Sequence, residues 1–268
     1  MRKTRQAFSL VELSIVLVIL GLLVGGILSG QSLIRAAELR AVSNEYARYV
    51  AAVQTYRDKY FSLPGDMNNA TRFWGNLGGT NCTNNAGTGA VSTGTCDGNG
   101  DGAIIGAAAV SQTGEAFQFW RHLAFAGLIE GTYSGTAGPN ASWPGMDTLP
   151  GTNTPQSRMN NAGWGGVNFV APADASTYAF DYGNMLVFGA RFAGNVPLVP
   201  ALKPEEAWNI DTKMDDGKPG TGKVMVRDYN GFGSASSCTL SANGTDYAAG
   251  YKLTNTSQAC AFFFPKPF

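Results

Sequence analysis

Between Leu13 and Ile34 the chain carries no ionisable side chain at all. Extended back to Phe8, with Glu12 as its only charge, this run constrains everything else the sequence can fold into. A hydrocarbon core of about 30 Å takes roughly 20 helical residues to cross, and residues 8–28 are long enough. A short basic stretch, Met1-Arg2-Lys3-Thr4-Arg5-Gln6-Ala7, stands before it. A secretory signal would have a shorter apolar core followed by a polar cleavage region with small residues. Here the run continues through residues 31–40, which are good helix material. A plain membrane anchor fits the length but leaves Glu12 without a reason, because a carboxylate in an apolar helix is costly and implies a partner or a function.

Ala7-Phe8-Ser9-Leu10-Val11-Glu12-Leu13 resembles the processing and methylation motif of type IV pilins and type II secretion pseudopilins. The resemblance implies cleavage by a prepilin peptidase after Ala7 and N-methylation of the new Phe8 amine. Glu12 would then pair with a neighbouring subunit's terminal amine. Such a pairing neutralises a carboxylate in apolar surroundings and fixes axial register. Ala7 stands where the family usually has glycine before the cut.

At 268 residues the chain can hold one substantial folded domain with an accessory lobe. Its 19 basic side chains balance 19 acidic ones, and removal of Arg2, Lys3 and Arg5 leaves 16 against 19. That balance argues against a nucleic-acid partner, which calls for a basic surface. The three leader cations favour a cytoplasmic N-terminus in the bacterial inner membrane, with the rest of the chain periplasmic or extracellular. Four cysteines suit that oxidising side. They fall into two local groups, so Cys82–Cys96 and Cys238–Cys260 are the expected pairs, although four cysteines allow three connectivities. No C-x-x-C spacing occurs and the single histidine, His122, is remote in sequence, so zinc is not expected.

The helical pattern continues past the apolar run to about Tyr60, and a helix over residues 8–60 would span roughly 80 Å. Gly21, Gly25, Gly26 and Gly30 each lower its helix preference by about 1 kcal/mol relative to alanine. The resembled family bends or partly melts this half on assembly; small residues also let membrane helices approach closely. Both readings stay open. Val42, Tyr46, Tyr49, Val50, Val53 and Tyr56 form a stripe suited to packing against a head. Pro64-Gly65 ends the helix, in a segment resembling the helix-to-head junction of pilin-like proteins, and Asp66 is expected to cap a short helix running through Trp74.

Further helices are predicted over 115–128 and from Pro204 through Asp211, with strands over 166–171, 177–181, 184–192, 222–229 and 259–264. Residues 75–113 read as a long loop closed by Cys82–Cys96, and 131–166 as a surface excursion carrying Trp143 and Trp164. The expected fold is α+β. A leader (1–7) precedes a long N-terminal helix (8–60, membrane and assembly segment 8–28), and a head (61–268) packs that helix on a small antiparallel sheet with extra helices and long Gly/Asn-rich loops.

Asp97-Gly98-Asn99-Gly100-Asp101-Gly102-Ala103-Ile104 matches the first eight positions of a calcium loop. Asp97, Asn99 and Asp101 would turn oxygens inward, Gly102 would allow the sharp bend, and Ala103 would offer its carbonyl. The twelfth position, which should be glutamate, is Ala108, and Glu115 could supply the missing carboxylate. The competing reading is an Asx-and-glycine turn without an ion. Asp211, Asp215 and Asp216 form a weaker metal candidate, since facing carboxylates also arise on ordinary solvated helices. His122 has no Ser, Cys or paired-Asp motif beside it, and no triad, phosphate-loop or zinc-protease signature occurs.

The sequence therefore reads as a structural subunit rather than an enzyme, polymerised through its N-terminal helix into a type IV pilus or related filament. Its expected partners are other pilin or pseudopilin subunits, the prepilin peptidase/methyltransferase and the inner membrane, with calcium as the one candidate cofactor. A type II secretion pseudopilin or a minor tip subunit is the alternative within this class. Outside it stands a membrane-anchored carbohydrate-binding module or enzyme using Trp74, Trp143 and Trp164.

Overall fold

The computed structural model describes residues 10–77, 93–105, 114–140, 146–171, 177–228, 237–241 and 243–268. Helix α1, Leu10–Tyr60, runs unbroken for 51 residues, about 75 Å at 1.5 Å per residue. Its two halves have opposite surroundings. Up to Ile34 the large apolar side chains are all exposed, whereas Ala41, Val42, Glu45, Tyr49, Ala52, Val53 and Tyr56 are buried at spacings of three and four. The helix stops at Phe61, whose N–H donates to the Arg57 carbonyl at 2.8 Å and whose φ of +54° is left-handed. Glycine usually takes that cap position, and an L residue there costs about 1 kcal/mol.

The upper half of α1 lies on a four-stranded antiparallel sheet of β1 (Ala162–Ala171), β2 (Phe180–Ala190), β3 (Met225–Asp228) and β4 (Cys260–Phe264), in the order β1-β2-β4-β3. β1 and β2 form a hairpin pairing Ala162 with Ala190 and Ala171 with Phe180, with a bulge between Phe169 and Val170. All five residues of β4 are buried, which explains a continuous Cys-Ala-Phe-Phe-Phe run in place of alternation. Phe264 stacks on Tyr46 of α1 (4.4 Å), and Phe263, facing the other way, meets Tyr182 edge-on (5.2 Å). The Cys238–Cys260 disulfide anchors the start of β4. Cys96 is also disulfide-bonded, and its expected partner Cys82 lies outside the described residues.

Three further helices lie in the head among the described residues. α2 is a single turn, Thr71–Trp74. α3, Glu115–Phe125, has all of residues 116–123 buried, as expected of a helix wedged between elements rather than laid on a surface. It packs on both α1 and β1. α4, Pro204–Met214, starts with proline and two glutamates in its first turn. Arg35 holds α4 against α1: its Nε and Nη2 donate to the two oxygens of Glu206, each at 2.6 Å, while Nη1 reaches Glu38 at 2.9 Å. This bidentate, half-buried pair marks the level at which α1 enters the head.

The α+β expectation holds, with four corrections. Residues 177–181 do not form a strand of their own: β2 begins at Phe180 and runs on through the next predicted strand. Residues 131–166 are not all surface excursion, because β1 starts at Ala162 and Trp164 is fully buried. Trp164 sits against Tyr49 of α1 at 5.4 Å, a partner that its Gly- and Asn-rich neighbours in sequence do not announce. Asp66 does not cap α2; the N–H and Oγ1 of Thr71 donate instead to Asp97, at 2.7 and 3.1 Å. Finally, α3 ends at Phe125 rather than 128, at a turn in which the Gly127 N–H donates to the Ala124 carbonyl with φ of +72°.

Candidate functional site

The first candidate is the lower half of α1. Every Leu, Ile and Val from Leu10 to Ile34 is at least 51% exposed. A stripe on one side would be a packing face, but apolar side chains all round a helix require lipid or other protein. It is the one helix among the described residues long and apolar enough to cross a membrane. Polar groups on it are partly hidden by the helix itself: the Ser14 hydroxyl donates to the Val11 carbonyl (2.9 Å) and Ser32 to Ser29 (2.8 Å). Glu12 lies exposed on the same apolar surface. A Cβ added at Gly21, Gly25, Gly26 or Gly30 would touch nothing within 4 Å, so these positions are flat patches on the outside of the rod. Ala7 and Phe8 lie outside the described residues.

The second candidate is the junction at the top of α1, where the expected calcium loop folds against Pro64-Gly65-Asp66. Asp66 is buried, and its carboxylate collects the N–H groups of Gly100 (2.6 Å), Asp101 (3.1 Å) and Gly102 (2.9 Å). Glu115, opening α3, accepts from Asn99 N and Ile105 N, each at 3.0 Å. Asp101 accepts from Ala103 N (2.8 Å) and Asn99 Nδ2 (2.7 Å). The loop can lie this close because Gly98 has no side chain: a Cβ there would come within 2.4 Å of Asp66 backbone.

Carboxylate oxygens of Asp66, Asp101 and Glu115 thus come within 4.8 Å of one another. No lysine or arginine forms an ion pair with any of the three among the described residues. Burial pushes the Asp66 and Glu115 carboxyls above their ordinary range; the backbone N–H groups oppose the rise and the neighbouring carboxylates add to it. Of the five expected ligands, then, Asp101 and Glu115 converge. Asp97 is turned to Thr71, Asn99 serves the turn, and Asp66, which the sequence pattern did not include, takes part.

Behind this junction His122 is fully buried, and both ring nitrogens are engaged. Gly65 N–H donates to Nδ1 (2.9 Å), so Nε2 carries the proton and faces Thr95 Oγ1 (2.8 Å), whose hydroxyl donates to Gln118 Oε1 (2.6 Å). Burial pushes the imidazole down to about 3, the Cys96 carbonyl opposing and Arg121 assisting, so it is neutral. It is a structural tie between the Pro64-Gly65 turn and α3.

The third acidic group, Asp211, Asp215 and Asp216, also has oxygens within 4.8 Å of one another. Asp211 is buried and accepts from Tyr251 Oη (2.6 Å) and Gly217 N (3.2 Å). Asp215 takes the N–H groups of Lys223 and Val224, and Asp216 takes Lys218 N (2.9 Å) and Thr221 Oγ1 (2.6 Å). These bonds fold the loop after α4 back on itself. Burial pushes Asp211 up to about 7 against the opposing pull of Tyr251 and Gly217.

Sequence reasoning missed Glu45. It is 6% exposed in the middle of α1 and accepts from Trp164 Nε1 (2.7 Å) and Arg158 N (2.8 Å). The available signal was a glutamate on the predicted apolar stripe. The pairing with Trp164 also removes that ring from any loop-borne sugar site, while Trp74 packs among Tyr60, His122 and Phe125 and Trp143 lies outside the described residues.

Residues 2–28 match the family model described as the prokaryotic N-terminal methylation motif, the signature of type IV pilins and pseudopilins. No curated protein and no solved structure matches the chain.

Proposed function

We propose that the chain is a filament subunit, held in the inner membrane by the lower half of α1 with its N-terminus cytoplasmic and its head periplasmic. A prepilin peptidase cleaves it after Ala7 and methylates Phe8. Subunits then leave the bilayer and bundle through α1 into a type IV pilus or related filament. The observation that carries this reading is an uncovered apolar rod from Leu10 to Ile34 joined to a head with a packed core, in a chain bearing the methylation signature. A rod that must be covered first by lipid and then by its own kind supplies the heterologous, non-closing contact that a helical polymer needs. Glu12 lies near the start of that rod, where pairing with the next subunit's methylated amine would set the axial step. The fibre formed is a long extracellular pilus in the first reading. A short pseudopilus, or a place at a filament tip, is favoured by the bulk of a head carrying three helices and a sheet.

Calcium is proposed with a changed ligand set: Asp66, Asp101 and Glu115, an all-oxygen group suited to a hard cation. Its role would be to neutralise three converging acids and lock the loop onto the top of α1.

Mass spectrometry of the purified protein's N-terminus, beside a Glu12→Ala variant, tests the main reading. The expected outcome is a mature chain starting at N-methylated Phe8, with a Glu12→Ala protein that folds and inserts but does not enter filaments. An intact Met1 in cells with active peptidase, or normal assembly of the variant, would refute it.

A further inference from the structure

At the head end of α1, some 70 Å from Leu10 along the helix, an open cleft of about 1060 Å³ is cut beside the Asp66 loop. It is as large as the pockets that take small molecules. Its walls combine aromatic rings, Tyr60 and Phe61, with the amides Asn68 and Asn69 and the charged side chains Arg57, Asp58 and Asp66. The amide side chains of Asn68 and Asn69 make no hydrogen bond among the described residues. They are exposed and offer donors and acceptors to the cleft.

Phe61 is the telling residue. Its ring is 93% exposed and has no ring partner among the described residues. Its backbone is left-handed, φ +54°, at the helix cap where glycine would be unstrained. Folding gains nothing from a phenyl group there, since it is solvated and its backbone is disfavoured. Its neighbour Tyr60, by contrast, is held from behind by Tyr56 (4.6 Å) and Trp74 (5.4 Å), so that ring is a fixed wall. Phe268, stacked on Phe119 at 5.7 Å, closes another side.

We propose that this cleft binds a neutral oligosaccharide. Apolar ring faces stack against the C–H faces of a sugar while amides pair with its hydroxyls. The lining charges are Arg57 and Asp58, of opposite sign, and Asp66, whose carboxylate is already engaged by three backbone N–H groups. This set disfavours a strongly charged ligand of either sign. A peptide would want a free strand edge or deep apolar pockets, and the cleft is lined by the end of α1 and by loops, with Asn184 as its one strand residue. Among the described lining residues the Ser62 hydroxyl donates to the Leu63 carbonyl (3.4 Å) rather than to a base, so the cleft is read as binding its ligand without transforming it.

The test uses the full chain in a detergent without a sugar headgroup. Maltotriose, cellotriose, lactose and N,N′-diacetylchitobiose are screened by saturation-transfer NMR and calorimetry at millimolar concentration, with an unrelated peptide as control. At least one saccharide should bind. Phe61→Gly should weaken that binding about tenfold or more while leaving the melting temperature unchanged or higher, which separates ligand binding from folding. Asn68→Ala with Asn69→Ala should weaken it too, and Glu12→Ala should not, so the result is independent of the assembly reading. Absence of binding by all four saccharides, undiminished binding by Phe61→Gly, or binding of the peptide alone would overturn the proposal.

Discussion

Glu45 offers the sharpest test of how α1 is joined to the head. Its two oxygens accept from Trp164 Nε1 and from Arg158 N, and the first of these bonds is buried. A hydrogen bond to a charged group contributes about 1.5–3 kcal/mol. Glu45→Ala removes both acceptors and leaves the indole N–H of a fully buried tryptophan without a partner, so it should destabilise by about 3–5 kcal/mol. Glu45→Gln keeps one acceptor oxygen for Trp164 and turns its amide toward the half-buried Arg158 N–H, which water can reach. That variant should lose only about 1–2 kcal/mol. The assay is urea unfolding of the full chain in micelles, followed by the fluorescence of buried Trp120 and Trp164. An alanine variant within about 1 kcal/mol of the parent would show that the helix is held by apolar contact alone, and a glutamine variant as damaged as alanine would refute the reading that one acceptor oxygen to Trp164 carries most of the effect.

Asp211 should give the head a pH-dependent weakness. Its folded value is raised to about 7, so its stabilising contribution is complete below the ordinary aspartate range and is lost as pH rises through about 7. Asp211→Asn should therefore gain on the parent between about pH 4 and pH 7, by at most about 4 kcal/mol, in melting temperatures read across that range. A gap that does not change with pH would refute this. His122 titrates in the opposite sense, losing stability as pH falls from about 6.5 toward 3, so the variant-minus-parent difference, not the parent's profile, is the quantity to read. For the cation proposal, calcium should raise the melting temperature of the parent, magnesium less, and Asp101→Asn should abolish the shift. Identical melting in calcium and in chelator would reject that site.

What could be read from the sequence followed the range of the interactions involved. The rod, its Glu12 and the stripe of Val42, Tyr49, Val53 and Tyr56 are periodic over many turns, and periodicity is a local signal. The helix beginning at Pro204 is marked by proline and acids in its first turn. Trp164 and Asp66 were misjudged because their partners are distant: Glu45 lies 119 residues from the one, and Gly102 lies 36 from the other. In each case composition around the residue pointed to a loop or a cap, and a tertiary contact decided otherwise. The Asp97 loop shows the same effect on a smaller scale. An alternating oxygen pattern aims ligands inward only if each side chain is left to the loop, and Thr71 draws Asp97 away.

The polar ties on α1 also say where the molecule can bend. Arg35 to Glu206, Glu45 to Trp164, and the Gly65 turn to His122 fasten α1 and its end to three different parts of the head. Between them the apolar stripe is buried against β4 and α3. Tilting α1 anywhere above Arg35 would break a charge-assisted bond and open the core together. Below Arg35 the large apolar side chains of the rod are all exposed, and four glycines there each weaken helix preference by about 1 kcal/mol. In the filament subunit proposed above, a change of course between bilayer and filament would fall on this stretch, where the glycines lie and the ties to the head do not.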